Sequence, residues 1–384
     1  MSSKLHFTIY SKTAELPTHW DDVAQQNAFL QTPYLSVLEQ SAPTNMECFF
    51  IGIFEGEELI GVSLAQYLNV DKLISFGERL HCMKTRVRNF AFRQFASHVL
   101  IIGNNMITGQ NGYVFSKSID FNDISILLRA MADEIIQYFK KKCIRIHLVS
   151  FKDFYEECAT ELKQHQFKSL FGFTVQPNMI FSLRSDWKSM ADYVDSLSKK
   201  YRDQYKRSHK KYEGIECVEL TWEQIQQNES RLYELYYYVA LNASFNTFFL
   251  APNHFSTFKK QCGDRFKLFG YYFEGKLVGF HTLLLNGKTL ETYFLGYDAS
   301  LQKEKMLYLN MLYNMTEFGI THQFERIIYG RTAMEIKSSI GASPTPMHGF
   351  MYHTQPLINR CVPQLFKNLE PPVAWEQRHP FKEA

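Results

Sequence analysis

Two stretches of this chain spell the same hairpin. Residues 52–61 read Gly-Ile-Phe-Glu-Gly-Glu-Glu-Leu-Ile-Gly, and residues 270–279 read Gly-Tyr-Tyr-Phe-Glu-Gly-Lys-Leu-Val-Gly. Each has a glycine at both ends and a Glu-Gly pair between two apolar runs. That pattern predicts a β-hairpin whose turn takes a positive φ. A chain that contains the same hairpin twice is constrained to fold as two versions of one domain, unless the likeness is chance.

The residues after each hairpin argue against chance. The first is followed by a predicted strand (Val99–Gly103), a helix (Asn122–Lys142) and a strand (Cys143–Val149). The second is followed by a strand (Leu290–Gly296), a helix (Gln302–Gly319) and a strand (Arg326–Tyr329). Leu127, Met131, Ile135 and Tyr138 share a face of the first helix, and Leu309, Leu312, Met315 and Ile320 nearly do so in the second. Helix, hairpin, strand, helix, strand in each half predicts an α/β (α+β) architecture of mixed sheets faced by helices. The predicted domains are 1–178 and 179–384, joined after Pro177. A strand (Met179–Leu183) and one long polar helix capped by Ser185 or Asp186 open the second half. The proline-rich tail from Pro344 is expected as extended chain and short helix within the second domain.

At 384 residues, two cores are the expectation in any case. Aromatic content is 15%, with 33 Phe and 22 Tyr; Phe-rich strand cores are the plain explanation, a site for a long apolar group the sharper one. The net charge of +3 is too small to imply nucleic acid by itself. The 7 cysteines (Cys48, Cys82, Cys143, Cys158, Cys217, Cys262, Cys361) are odd in number and form no C-x-x-C. They predict neither a disulfide framework nor a zinc site, and a reducing compartment. MSSKLHFTIYSK lacks the apolar run of a signal peptide, and no stretch reaches about 18 uncharged apolar residues. The expected location is the cytoplasm, with peripheral contact at the inner face of the membrane as an option.

The segments Leu197–Gly214, Phe294–Asp298 and Tyr329–Gly341 resemble parts of the tandem GNAT-type acyltransferases of the BioF2-like and Fem-type peptidyltransferase superfamily. Leu197-Ser-Lys-Lys-Tyr-Arg-Asp-Gln-Tyr-Lys-Arg-Ser-His-Lys-Lys-Tyr-Glu-Gly214 is similar to their basic helix running into a strand. Phe294-Leu-Gly-Tyr-Asp298 looks like the central strand of an acyl-transfer half. Tyr329-Gly-Arg-Thr-Ala-Met-Glu-Ile-Lys-Ser-Ser-Ile-Gly341 resembles the closing "D-F-G…Y/F-K-x-x-F-G" segment. The resemblance implies two tandem GNAT-like domains with the active one at the C-terminal end, and direct attack without a covalent enzyme intermediate. No G-x-S-x-G motif is present. The Q/R-x-x-G-x-G/A pyrophosphate loop of simple acetyl-CoA enzymes is missing, and Leu301-Gln-Lys-Glu-Lys305 stands in its place.

Acyl transfer to an amine requires a deprotonated nitrogen, a stabilised oxyanion and a protonated leaving group. His281, in the apolar run Gly279-Phe-His-Thr-Leu-Leu-Leu285, is a candidate base; a satisfied core histidine is the alternative. Tyr297 and Asp298 end the central strand, where the phenol could protonate the leaving group and the carboxylate orient the amine. Tyr-Asp-Ala-Ser is equally good turn chemistry. Arg331, Glu335 and Lys337 could converge on a phosphate or carboxylate, with Lys337 the strongest of the three; an Arg331–Glu335 surface pair is the alternative.

The basic helix carries Lys199, Lys200, Arg202, Lys206, Arg207, Lys210 and Lys211 against Asp203 alone. Arg202, Lys206 and Lys210 form an i, i+4 stripe of like charges, which costs about 0.2–0.5 kcal/mol per pair. A phosphate-bearing partner would offset that cost; a solvated face is the plainer reading. A second basic amphipathic stretch, Arg79 to His98, could lie on an anionic bilayer or pack on its own domain.

These readings lead to an N-acyltransferase. It would move an acyl group from acyl-CoA or an acyl carrier protein to a primary amine on a lipid, sugar or peptide-bearing carrier. His281, Tyr297, Asp298 and Lys337 are the expected catalytic residues. Arg202, Lys206, Arg331 and Glu335 are the expected binding residues. No metal and no resident cofactor are expected, only the acyl donor as co-substrate. The alternatives are an aminoacyl-tRNA-dependent Fem-type transferase, which makes tRNA a less favoured partner, and a non-catalytic, degenerate GNAT that binds a phosphate-bearing ligand.

Overall fold

The computed structural model describes residues 5–25, 27–71, 95–243, 246–364 and 375–382. The chain forms two compact units. The first takes the described residues up to Val175 with 246–251 and 346–364; the second takes 176–243, 252–345 and 375–382.

In the first unit, β1 (Leu5–Tyr10), β2 (Met46–Glu55), β3 (Glu58–Asn69), β4 (His98–Ile102), β5 (Tyr113–Phe115), β6 (Leu148–Phe154) and β7 (Phe171–Thr174) are joined by β15 (His348–His353). The sheet order is β1-β2-β3-β4-β6-β15-β7, with β5 also on β3. The second unit holds β8 (Asn178–Ser182), β9 (Ile215–Glu219), β10 (Phe266–Phe273), β11 (Lys276–Asn286), β12 (Thr289–Tyr297), β13 (Arg326–Gly330) and β14 (Ser343–Thr345). Its order is β14-β8-β13-β12-β11-β10-β9. Reading the first sheet from β1 and the second from β9 gives the same plan: antiparallel strands, then one parallel pair (β4/β6 and β12/β13), then two antiparallel strands.

The predicted hairpins are β2–β3 and β10–β11. Both carry a bulge at the same place, one extra residue next to Gly61 and Gly279, where Ile53 pairs Gly61 and Tyr271 pairs Gly279. Their turns take the expected positive φ, at Gly56 (63°) in one and at Glu274 and Gly275 (50° and 75°) in the other.

The observed boundary lies at 175/176, and the larger difference from the expected domains is the tail, which returns to the first unit. β8 follows β7 by three residues, Val175–Pro177, yet pairs with β13 and β14 of the second sheet. β15 follows β14 by two residues, Pro346 and Met347, yet pairs with β6 and β7 of the first. The tail expected in the second domain therefore supplies an interior strand to the first. Pro344 sits in β14, an edge strand, where a missing N–H donor is tolerated.

Each core lies between a sheet and its helices. Helix Phe121–Lys141, capped by Asp120 accepting the Asn122 N–H at 2.8 Å, buries Leu127, Leu128, Met131, Ile135 and Phe139 at helical spacing; Tyr138, expected on that face, is exposed. Helix Leu307–Thr321 buries Leu309, Leu312, Met315 and Ile320 as expected. The phenylalanines fill these cores: Phe50, Phe139, Phe151, Phe181 and Phe266 are all fully enclosed. Three local expectations are corrected. The strand after the first helix is β6, not Cys143–Val149, because Cys143 turns the chain at φ 59°. The polar helix is two helices, Met190–Ser196 with a Ser189/Asp192 capping box and Lys199–Lys211, broken at Leu197–Ser198. The helix expected from Gln302 begins at Leu307, after Met306 in a left-handed conformation. Most of the amphipathic stretch Arg79–His98 lies outside the described residues.

Candidate active site

The second sheet comes apart at its parallel pair. β12 and β13 are in register only at Thr289/Arg326, Leu290/Ile327 and Glu291/Ile328, while β12 runs on to Tyr297. Two features hold them apart. β12 stays on β11, with a bulge at Tyr293–Phe294, since Leu283 pairs Thr292 and His281 pairs Leu295. On its other face Gly296 lies so close to helix Glu229–Leu241 that a Cβ would meet the Leu235 and Tyr236 backbone at 2.5 Å. β13 instead follows β8, with its own bulge between Ile328 and Gly330.

The end of β13 is a tight, strained turn. Gly330, Thr332 and Ala333 have φ of 69°, 65° and 46°. For a β-branched residue such as Thr332 this is a rare conformation, costing of order 1–3 kcal/mol. Lys337 holds it in place. Its ammonium, 4% exposed, donates to the carbonyls of Tyr329 (2.7 Å), Gly330 (3.3 Å) and Arg331 (2.6 Å). Burial pulls its pKa down to about 7. No carboxylate among the described residues pairs with it, so the strand end carries an uncompensated cation when the amine is protonated.

Of the other sequence candidates, Tyr297 is half-buried at the free end of β12, beside the rings of Tyr238 and Tyr308, and burial raises its pKa. Arg331 follows β13 directly. Asp298 is committed to the fold: Oδ1 accepts from the Ser300 N–H (3.0 Å) and hydroxyl (2.7 Å), and Oδ2 pairs with Arg231 at 3.1 Å. The Ser300 hydroxyl first, then Arg231, hold its pKa below the usual value. This geometry supports the turn reading over amine orientation. Glu335 forms an ion pair with Arg378, not with Arg331. His281 is 1% exposed, with Nδ1 at 2.8 Å from the Tyr271 hydroxyl and its ring stacked on Phe269; burial pushes its pKa down to about 3. With Nδ1 engaged by the Tyr271 hydroxyl and the ring face covered by Phe269, the geometry supports the core-histidine reading.

Helix Lys199–Lys211 packs Tyr201 and Ser208 inward and ties Gln204 to the Tyr313 and Ser339 hydroxyls. Lys206 and Lys210 are exposed and Arg202 half-buried. Among the described residues none of these three forms an ion pair. At the N-terminus of helix Leu307–Thr321, where a pyrophosphate loop would present free amides, the Gln302 side chain accepts the Tyr308 N–H at 3.2 Å. Lys305 points away, to the Glu213 carbonyl and the face of Phe273.

Sequence reading missed Glu291, which is 8% exposed at the last paired rung and whose pKa burial raises to about 7. Its only signal was a lone carboxylate in the apolar run of β12.

The FemAB-like family model, described as peptidoglycan biosynthesis/recognition, matches residues 108–382. No curated protein matches the sequence. Among solved structures, FemX is 12% identical with a TM-score of 0.54, covering 94% of this chain and 99% of its own. A tandem GNAT protein from the clavulanic acid biosynthesis pathway is 9% identical with a TM-score of 0.51, covering 92% and 99%. At these identities the structures share the fold.

Proposed function

This chain belongs to the FemAB-like family, and from that premise we propose that it is an N-acyltransferase whose reaction takes place where β12 and β13 part. A primary amine attacks an activated acyl group directly. The observation that carries this reading is the parted parallel pair, with Tyr297 on one lip and the Lys337-braced turn on the other. The Lys337 charge stabilises the developing oxyanion through the polarised strand end, and Tyr297 protonates the leaving group. Arg331 binds a phosphate or carboxylate of a substrate. The acceptor is a primary amine on a lipid, sugar or peptide-bearing carrier, and the donor is an acyl thioester on CoA or an acyl carrier protein.

A second reading takes the acyl group from aminoacyl-tRNA. Two observations favour it: the Arg202–Lys206–Lys210 stripe has no carboxylate partner among the described residues, and Gln302 occupies a helix amide that a diphosphate would use. Incubating the protein with butylamine and, in turn, acyl-CoA, acyl carrier protein thioester and aminoacyl-tRNA, with mass spectrometry of products, tests both. Amide formation that Tyr297→Phe slows supports the reading, and the productive donor selects between its versions. No amide from any donor with folded protein contradicts it.

A further inference from the structure

Two polar side chains on β12 and β8 have no role in the account so far. Glu291 on β12, Ile328 on β13 and Ile180 on β8 stand on one rung, since Glu291 pairs Ile328 and Ile328 pairs Ile180. Residues directly opposite across a sheet project to the same face. Asn178 lies two residues before Ile180 and so shares that face. It is the face opposite Leu290, Met179 and Phe181, which pack into the core with helix Leu307–Thr321. Glu291 and Asn178 thus flank the fork of the opening, on the side away from that helix.

Both are buried, at 8% and 1% exposure, and both are under-satisfied. The Asn178 Oδ1 has no hydrogen-bond partner. Glu291 accepts one long bond, from Asn286 at 3.4 Å. The charge that faces it is Arg326 on β13, whose Nε is engaged with the Thr289 hydroxyl at 2.8 Å. A buried acceptor without a donor costs free energy of the size of a lost hydrogen bond. Here one unpaired acceptor, the Asn178 Oδ1, and one weakly bonded carboxylate, Glu291, sit on either side of Ile328, an apolar floor. Their complement is a group that only donates and is carried on an alkyl stem.

We propose that Glu291 and Asn178 form the subsite for the acceptor's primary amine, with Glu291 taking the proton that the nitrogen sheds. This rests on the acyl-transfer reading. The amine arrives as its ammonium, with N–H donors toward Glu291 and the Asn178 carbonyl oxygen, and attacks after one proton has passed to solvent. As its lone pair forms the C–N bond, one N–H proton passes to the Glu291 carboxylate. The bond from the acyl carbon to the carrier's sulfur or oxygen breaks with its electron pair, and that atom takes a proton from Tyr297, which solvent restores. Burial places the Glu291 carboxyl near neutrality, where a general base is most effective.

The experiment uses the full chain and butylammonium as the probe, followed by NMR titration of wild type, Glu291→Gln and Asn178→Ala. Binding is expected to weaken about tenfold or more in each variant, as for loss of a charge-assisted or buried hydrogen bond. In transfer assays Glu291→Gln is expected to lower kcat/KM for butylamine about 100- to 10,000-fold and to remove the rising limb of its pH profile. Glu291→Asp, which keeps the carboxylate, is expected to retain that limb. Absent binding to wild type, or binding and pH profile unchanged in Glu291→Gln, overturns the proposal. If butylammonium binds through these residues but no donor yields amide, the acyl-transfer reading falls and the subsite stands. If wild type transfers and Glu291→Gln matches it, the subsite falls and the transferase stands.

Discussion

The two sheets share a plan and differ at one point, the strand opposite the hairpin's second arm. With Gly61 and Gly279 as equivalents, Ala65 and Ser63 correspond to Leu283 and His281. In the second sheet their partners are Thr292 and Leu295, and the two residues between form a bulge. In the first sheet the partners are Ile102 and Tyr113, and ten residues, 103–112, leave the strand and return. That loop is built into the first unit by buried polar contacts. Asn104 donates to Tyr34, the Asn105 N–H to Gln66, and Asn27 to Asn111. Lys152, on β6, donates to the carbonyls of Asn104 (2.9 Å) and Ile107 (3.2 Å) and pairs with Asp153 at 2.9 Å. Both units therefore bury a lysine at the end of the parallel pair. In the first it is neutralised and fastens a plug; in the second it has no carboxylate among the described residues and braces an open lip. One fold, written twice, is closed in one copy and open in the other.

The sharpest way to break this comparison is to remove each lysine. Lys337→Met is expected to slow transfer about 30- to 1,000-fold, the effect of losing one polar stabiliser at a reacting centre. Lys152→Met is expected to destabilise the first unit by about 3–5 kcal/mol, because it breaks a buried ion pair and two hydrogen bonds that fasten the loop. It should leave the rate per folded molecule unchanged. Equal rates for Lys337→Met and wild type, or a slowed reaction in folded Lys152→Met, would erase the distinction.

Acid should act on both units, on the open one through His281 and on the closed one through three histidines. His98, His147 and His353 form a row in the closed unit, with ring centroids 5.2 Å and 6.3 Å apart. Burial lowers all three pKa values, that of His147 to about 4, with its two neighbours and Arg145 adding to the effect. Asp71 opposes it at His98 and His147. The unfolded state binds protons first, so this stability is fully present above pH 6.5 and is lost as pH falls from 6.5 toward 4. Hydrogen exchange at β4 should accelerate across that window, and His147→Gln should flatten the change.

The smallest effect on stability is expected at the basic helix. Arg202→Ala with Lys206→Ala should alter stability by no more than about 0.5 kcal/mol, yet weaken donor or acceptor binding and flatten its salt dependence. An unchanged KM at low salt for every substrate would return the stripe to a solvated face.

What the sequence made legible is what local pattern encodes. Glycine-bounded hairpins and the spacing of Leu127, Met131 and Ile135 are set by contacts within a few residues. The crossing of β15 to the first sheet is not, because its partners β6 and β7 lie far back in the chain, at Leu148–Phe154 and Phe171–Thr174. Partners distant in sequence change how single residues read: Arg231 engages Asp298, and Arg378 engages Glu335. Lys337 was singled out by resemblance, but its contacts to three backbone carbonyls have no sequence signature.

The central claim is that the donor enters between β12 and β13 and not at the plugged counterpart. Hydrogen exchange read by mass spectrometry on peptides covering 292–300 and 98–112 tests it directly, with a non-transferable donor added. The thioether analogue of an acyl-CoA and a non-hydrolysable aminoacyl-adenosine would be used in turn. The account predicts that one of them protects the edge of Thr292–Tyr297 that β13 leaves unpaired, and leaves 98–112 unchanged. Protection confined to 98–112, or none at 292–300 with either donor, would contradict it.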